Sequence, residues 1–355
     1  EIRFAARSGA TVRNNSGGFG GGISIASSSV VITGCSILQN AGSASGGGVS
    51  SSFGTVQLRN CVIAGNQCTG FGGGAYVTSS TFGVLHCTVR GNSAALPGGG
   101  LFVFNGPNPT VTNESVSVGG QTRTFVLVVP ETYAATKKYP LVLAFHGDGG
   151  TGASFRAYYK FEAYSGEDAV VAYLDGLGQT WEIERLAPNP DVDFAMATID
   201  AIKAKVSIDT ARVFATGWSN GGFFVNRLAC MKSTSIRAIS SHAGGAVYES
   251  DANKPHPKYP NGFPKCPGED KVPAFITHGL SDPAVEPASG DFSASYWAYV
   301  NGCQDSRAAT TPSPCMAHAG CPADKPVVYC PISGNGHGIW KDGAKESWAF
   351  FKALL

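Results

Sequence analysis

The chain is 355 residues long, enough for two compact domains that each bury a core. A net charge of +1 with only 14% charged residues leaves neither the basic stripe of a nucleic-acid binder nor the acidic block of a solvating tail. No apolar run approaches the roughly 18 residues of a membrane span, and the chain opens at Glu1 without a charged and an apolar leader region, so a signal peptide is expected to have been removed already. Ten cysteines without zinc-type C-x-x-C pairs point to an oxidising compartment, either extracellular, at a cell surface, or periplasmic.

Residues 1–106 hold no lysine or aspartate, one glutamate and five arginines, and they repeat themselves. Gly-Gly-Gly recurs at 20–22, 46–48, 72–74 and 98–100, a step of 26 residues. The same step aligns Ile23, Val49, Ala75 and Leu101; Val30, Val56 and Phe82; Ile32, Leu58 and Val84; Ile37, Ile63 and Val89. Asn14, Asn40, Asn66 and Asn92 form a polar column, and Cys35, Cys61 and Cys87 another. So short a period cannot build one globular core, but it suits a coil whose turns pair as parallel strands, with apolar columns inside and glycine at the corners. The expectation is a right-handed parallel β-helix. Its stacked cysteines are core fillers, since neighbours in register strain a disulfide, and His86 is structural. The Gly-Gly-Gly-aliphatic and aliphatic-x-x-Asn pattern (Ile37 to Asn40, Ile63 to Asn66, Val89 to Asn92) resembles the repeat of bacterial polymorphic outer-membrane proteins. The first coil opens mid-repeat, so further coils are expected before it.

After a joint at 107–112, which continues the Pro/Asn-rich Asn105–Pro109, residues 113–355 alternate strand and helix patterns, as in an α/β domain with a mostly parallel sheet. Strands are expected at Thr124–Val129, Leu141–Phe145, Ala169–Leu174, Val213–Thr216, Ala238–Ser241, Ala274–Thr277 and Val327–Tyr329. Helices are expected at Phe194–Val206, Asn220–Met231, Phe292–Val300 and Ala344–Leu355.

The chemistry centres on Gly217-Trp218-Ser219-Asn220-Gly221, between an expected strand and an expected helix. A strand-turn-helix corner that tight needs glycine at its flanks and projects the serine hydroxyl. A base and an acid must follow in the order Ser, Asp, His. His337, in Gly334-Asn-Gly-His-Gly338 before the last helix, is the expected base; His318 lies in a Cys/Pro-rich insertion, and His278 shapes a turn. Asp282 is the expected acid, with Asp291 and Glu286 as competitors. The loop His146-Gly147-Asp148-Gly149-Gly150 follows a strand, so the N–H groups of Asp148 and Asn220 are the expected oxyanion donors. The Asp148 carboxylate should then turn away, and His146 shapes the loop. Trp181 and Trp218 are candidates to line a substrate pocket for a planar acid.

Together, Arg123–Pro130, the His146-Gly147 loop, Trp181, Asp191–Phe194, the serine corner with Asn226–Cys230, His278-Gly279 with Asp282, and Gly336-His337 resemble the family of bacterial polyhydroxybutyrate depolymerase-like and feruloyl esterases. The resemblance implies an α/β-hydrolase fold and a two-step ester hydrolysis that calls for no metal or organic cofactor, acting as a monomer on an ester or polymeric ester substrate. It also implies disulfides Cys303–Cys330, Cys315–Cys321 and Cys230–Cys266. Feruloyl esters of plant polysaccharides, polyhydroxyalkanoates and aryl polyesters share the same carbonyl chemistry, and a surface adhesion protein with a vestigial esterase domain is the alternative of another class. The β-helix carries no acid, base or nucleophile in a convergent arrangement, so it is expected to be an accessory domain held in fixed contact with the hydrolase.

Overall fold

The computed structural model describes residues 9–26, 28–52, 55–78, 81–104, 109–185, 187–246, 257–268 and 271–355. Residues 107 and 108 of the expected joint and His256 lie outside the described residues. The chain divides into two compact units, one ending at Asn108 and the other beginning at Pro109.

In the first unit every strand pairs parallel with its counterpart one coil away, giving four stacked sheets among the described residues. Val49 pairs with Ile23 on one side and Ala75 on the other, and Ala75 pairs with Leu101. Parallel registry stacks the apolar columns coil on coil; Ile37, Val49, Val56, Leu58 and Ile63 of the middle coils are fully buried, while Val84 and Leu101 further along their columns are exposed. The asparagine column is a hydrogen-bonded ladder: Asn40 Nδ2 donates to Asn66 Oδ1 at 3.0 Å, and Asn66 Nδ2 to Asn92 Oδ1 at 2.9 Å. Its first rung is Asn15, not Asn14, because Thr11 pairs with Ser36 and Ser16 with Ala41, one residue short of the later step. A bulge between Gly17 and Phe19 restores the registry, so that Phe19 meets Ser45.

The second unit is a ten-stranded sheet. In chain order its strands are β1 (Thr110–Val118), β2 (Gln121–Val129), β3 (Tyr139–Phe145), β4 (Val170–Leu174), β5 (Ile208–Trp218), β6 (Ala238–His242), β7 (Ala274–Gly279), β8 (Arg307–Ala309), β9 (Met316–His318) and β10 (Val327–Ile332). They lie in the order β1-β2-β4-β3-β5-β6-β7-β10-β9-β8, parallel from β4 to β10 and antiparallel at both edges. β3 is buried along its whole length, as a strand covered on both faces must be. Leu141, Leu143 and Phe145 join the core under α3 (Pro190–Lys203), α4 (Asn220–Met231) and α5 (Pro287–Asn301). Val142 and Ala144 point the other way, into the core with Phe155 and Tyr159 of α1 (Gly152–Tyr159) and Trp348 of α6 (Gly343–Lys352). α2 is the short Glu162–Ser165.

Helix starts depart from expectation: α5 begins at Pro287, not Phe292, with proline at its first turn, and α1 is a helix the pattern did not predict. α3 starts at Pro190, not Phe194, since the Asn189 side chain accepts the N–H groups of Asp191 and Val192 and proline suits the first helical position. α1 is set by a capping box between Thr151 and Ser154.

Cys230 and Cys266 are bridged. The other two expected pairings are corrected: the bridges are Cys303–Cys321 and Cys315–Cys330, not Cys303–Cys330 and Cys315–Cys321. The cause is the β8–β9 hairpin, which pairs Arg307 with His318 and so brings Cys303 and Cys321, just outside it, to a Cα separation of 4.1 Å. Cys315 precedes Met316, whose partner across the ladder is Tyr329, and this sets Cys315 beside Cys330 at 4.0 Å.

Candidate active site

β5 runs into the first turn of α4 through Ser219, whose φ of 56° and ψ of −122° are foreign to a side-chain-bearing residue. Such a conformation costs on the order of 1–3 kcal/mol and persists only where the surroundings impose it. Here they do. A Cβ on Gly217 would lie 2.2 Å from the Gly221 oxygen, and one on Gly221 would lie 2.2 Å from the Phe145 oxygen, so both flanks must be glycine. The Ser219 N–H donates to the His242 carbonyl at 2.9 Å, and the Ser219 carbonyl accepts from the Phe223 N–H at 3.0 Å.

The hydroxyl so projected lies 2.8 Å from His337 Nε2, and His337 Nδ1 lies 2.8 Å from Asp282 Oδ2. The carboxylate fixes the tautomer: Nδ1 carries the hydrogen it donates, and Nε2 is left to accept from serine. Asp282 is 7% exposed, and its Oδ1 accepts the N–H groups of Ala284 and Val285 at 2.9 and 3.0 Å. Burial is the largest influence on this carboxyl and pushes it up, but the Val285 N–H, His337 and the Ala284 N–H outweigh it and hold the group below its ordinary value. The loop bearing His337 is pinned by Asn335, whose Nδ2 donates to the Gly338 carbonyl at 2.7 Å and whose carbonyl accepts the Ser281 N–H at 3.1 Å.

The glycine loop lies against the serine. A Cβ on Gly147 would meet the Trp218 ring at 2.8 Å and Ser219 Cβ at 3.2 Å. Within the loop, Gly149 donates to the Gln179 carbonyl and Gly150 to that of Gly147, while the N–H groups of Asp148 and Asn220 have no acceptor among the described residues. Asp148 itself is exposed. His146 is buried, accepts the Gly176 N–H on Nε2 at 2.9 Å and donates from Nδ1 to the Gly147 carbonyl at 2.7 Å. Burial, the largest influence on it, pulls this imidazole below its ordinary value, which keeps it neutral.

The two tryptophans part company. Trp218 is half-buried with its ring 5.4 Å from that of His337, beside the serine. Trp181 is 2% exposed, packed against Phe145, His146 and Phe224, with its indole N–H given to the His146 carbonyl. It is therefore core and not the open pocket wall that an aromatic at this position suggested, because a partner for its N–H let the whole ring go under. Its backbone N–H still donates to Asn220 Oδ1 at 2.8 Å and holds the corner from behind. A mostly apolar cavity of about 430 Å³ opens at the first turn of α4, lined by Phe223, Gly245, Ala246, Ala288, Ser289 and Phe292.

The competitors lie elsewhere. Asp291 is ion-paired with Arg307, His318 sits between Gln304 and Arg307, and Glu286 is exposed at the start of α5. Two neighbours of the site carried only weak sequence signals. Tyr158 accepts the Ile339 N–H through its hydroxyl at 3.1 Å and packs on Trp218; nothing but its place on a capped helix pointed to it. His278 reaches Asp282 itself, and the i, i+4 spacing of the two was the available clue.

Among known proteins, residues 2–116 match the family model described as right handed beta helix region. A stretch of 207 residues, 56% of this chain, is 30% identical to the probable feruloyl esterase C of Aspergillus terreus and covers 68% of it. A stretch of 265 residues, 70% of this chain, is 27% identical to the probable feruloyl esterase C of Aspergillus niger and covers 90% of it. Among solved structures, the acetyl xylan esterase from Aspergillus awamori superposes with a TM-score of 0.55 at 17% identity, over 68% of this chain and 99% of that one, which establishes the shared esterase fold.

Proposed function

The chain belongs to the feruloyl esterase family and is a carboxylic ester hydrolase; from this we propose that it is a secreted serine esterase working through Ser219, His337 and Asp282. The observation that carries the proposal is the unbroken run of hydrogen bonds from the strained Ser219 through His337 to Asp282. His337 takes the Ser219 proton as Oγ attacks the ester carbonyl, then delivers it to the departing alcohol oxygen. Water repeats the path: His337 takes a proton from it, hydroxide adds to the acyl carbon, and Ser219 leaves with the proton returned. Asp282 holds the imidazole in its productive tautomer and stabilises the imidazolium formed in each step. The Asp148 and Asn220 N–H groups receive the oxyanion, each worth about 3 kcal/mol in the transition state. All these steps use the chain's own groups.

Feruloyl esters of plant polysaccharide are the substrate class, in keeping with the relatives and with an apolar cavity at the first turn of α4, the helix that Ser219 opens, that suits a planar phenylpropenoyl group. Three disulfides in the catalytic unit favour an oxidising, extracellular setting. The β-helix, with coils of 26 residues like those of polymorphic outer-membrane repeats, serves as an accessory scaffold for display or polymer contact. Hydrolysis of methyl ferulate, p-nitrophenyl butyrate, a polyhydroxybutyrate film and an aryl polyester, each with native protein and Ser219→Ala, tests the proposal. Methyl ferulate is expected to be the best substrate, and the variant to lose about 10⁴-fold or more in kcat. Equal activity in the two proteins would overturn the serine mechanism, and preference for the film would overturn the substrate class.

A further inference from the structure

His278 lies near the end of β7, its side chain fully buried beside that of Asp282. Its Nε2 is 3.0 Å from the Val285 carbonyl oxygen and 3.3 Å from Asp282 Oδ2. A carbonyl can only accept, so Nε2 carries the hydrogen and gives it to the Val285 oxygen, with Asp282 Oδ2 in close contact beside that bond. The other nitrogen, Nδ1, is buried with no partner. Leaving it unsatisfied costs on the order of 1–3 kcal/mol, a cost that a leucine of similar size would not incur. A purely space-filling role therefore does not account for an imidazole here.

We infer that His278 is a positioning residue for Asp282, holding the 282–285 turn through Val285 and lying 3.3 Å behind the carboxylate oxygen that His337 holds from the front. The inference rests on the triad reading above. Asp282 Oδ2 faces two imidazoles while Oδ1 takes two backbone N–H groups, so the carboxylate is tethered on both oxygens and cannot swing away when His337 becomes an imidazolium. The Val285 residue ties the parts together: its carbonyl takes the His278 hydrogen and its N–H goes to Oδ1, closing the 282–285 turn around the carboxylate. α5 fixes the ring from the far side, since a Cβ on Gly290 would lie 2.5 Å from His278 Nδ1. Among the described residues, the titratable side chains in ion-pair reach of the Asp282 carboxylate are His337, from the loop after β10, and His278, whose ring lies against Gly290 of α5.

The role has a signature that packing alone lacks. The polar Nε2–H lying 3.3 Å from Oδ2 draws charge from the oxygen that faces His337, so its loss strengthens the pull of Asp282 on the His337 proton and moves the acid limb of kcat/KM upward. The experiment compares native protein, His278→Phe, which keeps a ring without the donor, and His278→Gln, which keeps an N–H at the same reach, on p-nitrophenyl acetate across pH. His278→Phe is expected to lose between about tenfold and a hundredfold in kcat with KM little changed, and to show the acid limb about 0.5 pH unit higher. His278→Gln is expected to restore the limb and most of the rate. Native kcat and limb in His278→Phe, or an equal loss in both variants with the limb unmoved, overturns the inference. If His278→Phe fails to fold, Gly290→Ala pushes the intact ring off its seat and is read by the same two quantities. Ser219→Ala in parallel separates the failures: a dead Ser219→Ala beside an unaffected His278→Phe removes this inference alone, whereas an active Ser219→Ala removes the triad reading beneath it.

Discussion

The two units solve the burial of polar groups in opposite ways. In the β-helix the buried amides repeat: Asn40, Asn66 and Asn92 satisfy one another up the stack, and the same bonds recur from coil to coil. In the esterase unit the buried polar groups are unlike one another, and several find partners from distant parts of the chain. Arg123 meets Asp191 at 2.6 Å across 68 residues, and His242 is held by Tyr159, Thr277 and Ser347 from three other elements as well as by Ser240 of its own strand. Repetition makes a regular scaffold cheap to specify but offers the same side chain at every step. Convergence of unlike groups on one point, the Ser219, His337 and Asp282 array being the case at hand, requires loops that do not repeat and a backbone held at φ of 56°.

The largest effect expected from breaking this contrast comes from the convergent side. Asp282→Asn keeps the shape of the carboxylate but offers an N–H where His337 needs an acceptor, so the imidazole takes the wrong tautomer. A fall of about 10⁴-fold in kcat on methyl ferulate is expected, measured by steady-state kinetics on protein with an unchanged circular dichroism spectrum. The structural counterpart is Asp191→Ala. It strands Arg123, 4% exposed on its side chain, and frees the Glu182 N–H that binds Asp191 Oδ2 at 2.7 Å. A loss of about 3–5 kcal/mol is expected in the urea unfolding of the esterase unit, followed through its tryptophans.

These examples also mark what the sequence could and could not reveal. The β-helix was legible because a column of four residues at one step votes four times for the same place, and the one slip, Asn14 for Asn15, came where a bulge breaks the step. The serine corner was legible because its glycines are steric necessities at fixed offsets from Ser219. Cys230–Cys266 was expected, but the partners of the other four cysteines were not legible, since they depend on the β8–β9 hairpin, whose strands of three residues are too short to carry an alternation pattern. Trp181 was misplaced for a related reason: whether a tryptophan lines a pocket or fills a core turns on a partner for its N–H, here the His146 carbonyl, and no local pattern encodes that. The His278 contact with Asp282 was half legible, through spacing without orientation.

On the repetitive side, Asn66→Ala is the informative break. It removes an acceptor for the Asn40 N–H and side chain and donors to the Ile37 carbonyl and Asn92, all buried or partly so. A cost of about 2–4 kcal/mol is expected, read as lost hydrogen-exchange protection in residues 36–68, with kcat on a small ester unchanged. A matching loss of kcat would mean that the two kinds of architecture are not functionally separable.

The smallest effect is the one that tells the units apart without a mutation. His242 is fully buried, and burial pushes its imidazole down to about 3, so in the folded protein it stays neutral where an unfolded chain would take up a proton. Above about pH 6.5 neither state binds that proton and stability is independent of it; below, the unfolded state binds it first, and stability falls by about 1.4 kcal/mol per pH unit until the folded value is reached. By pH 5 this amounts to about 2 kcal/mol from His242. His146 and His318, both drawn down chiefly by burial, add to the same slope. Carboxylates held low, Glu114 by its Lys205 bond and Asp209 by the Ala211 N–H, contribute only below about pH 4.5, so the window from 5 to 6.5 isolates the imidazoles. All three lie in the esterase unit, and residues 1–106 contain a single histidine, His86, with no lysine or aspartate. Unfolding of the esterase unit, followed by loss of activity in urea, should therefore weaken across this window while exchange protection in the β-helix, corrected for intrinsic rates, stays level. His242→Gln should flatten part of the slope, because its amide can still bond Tyr159 yet takes up no proton. A slope unchanged by that substitution would move the acid sensitivity to His146 and His318.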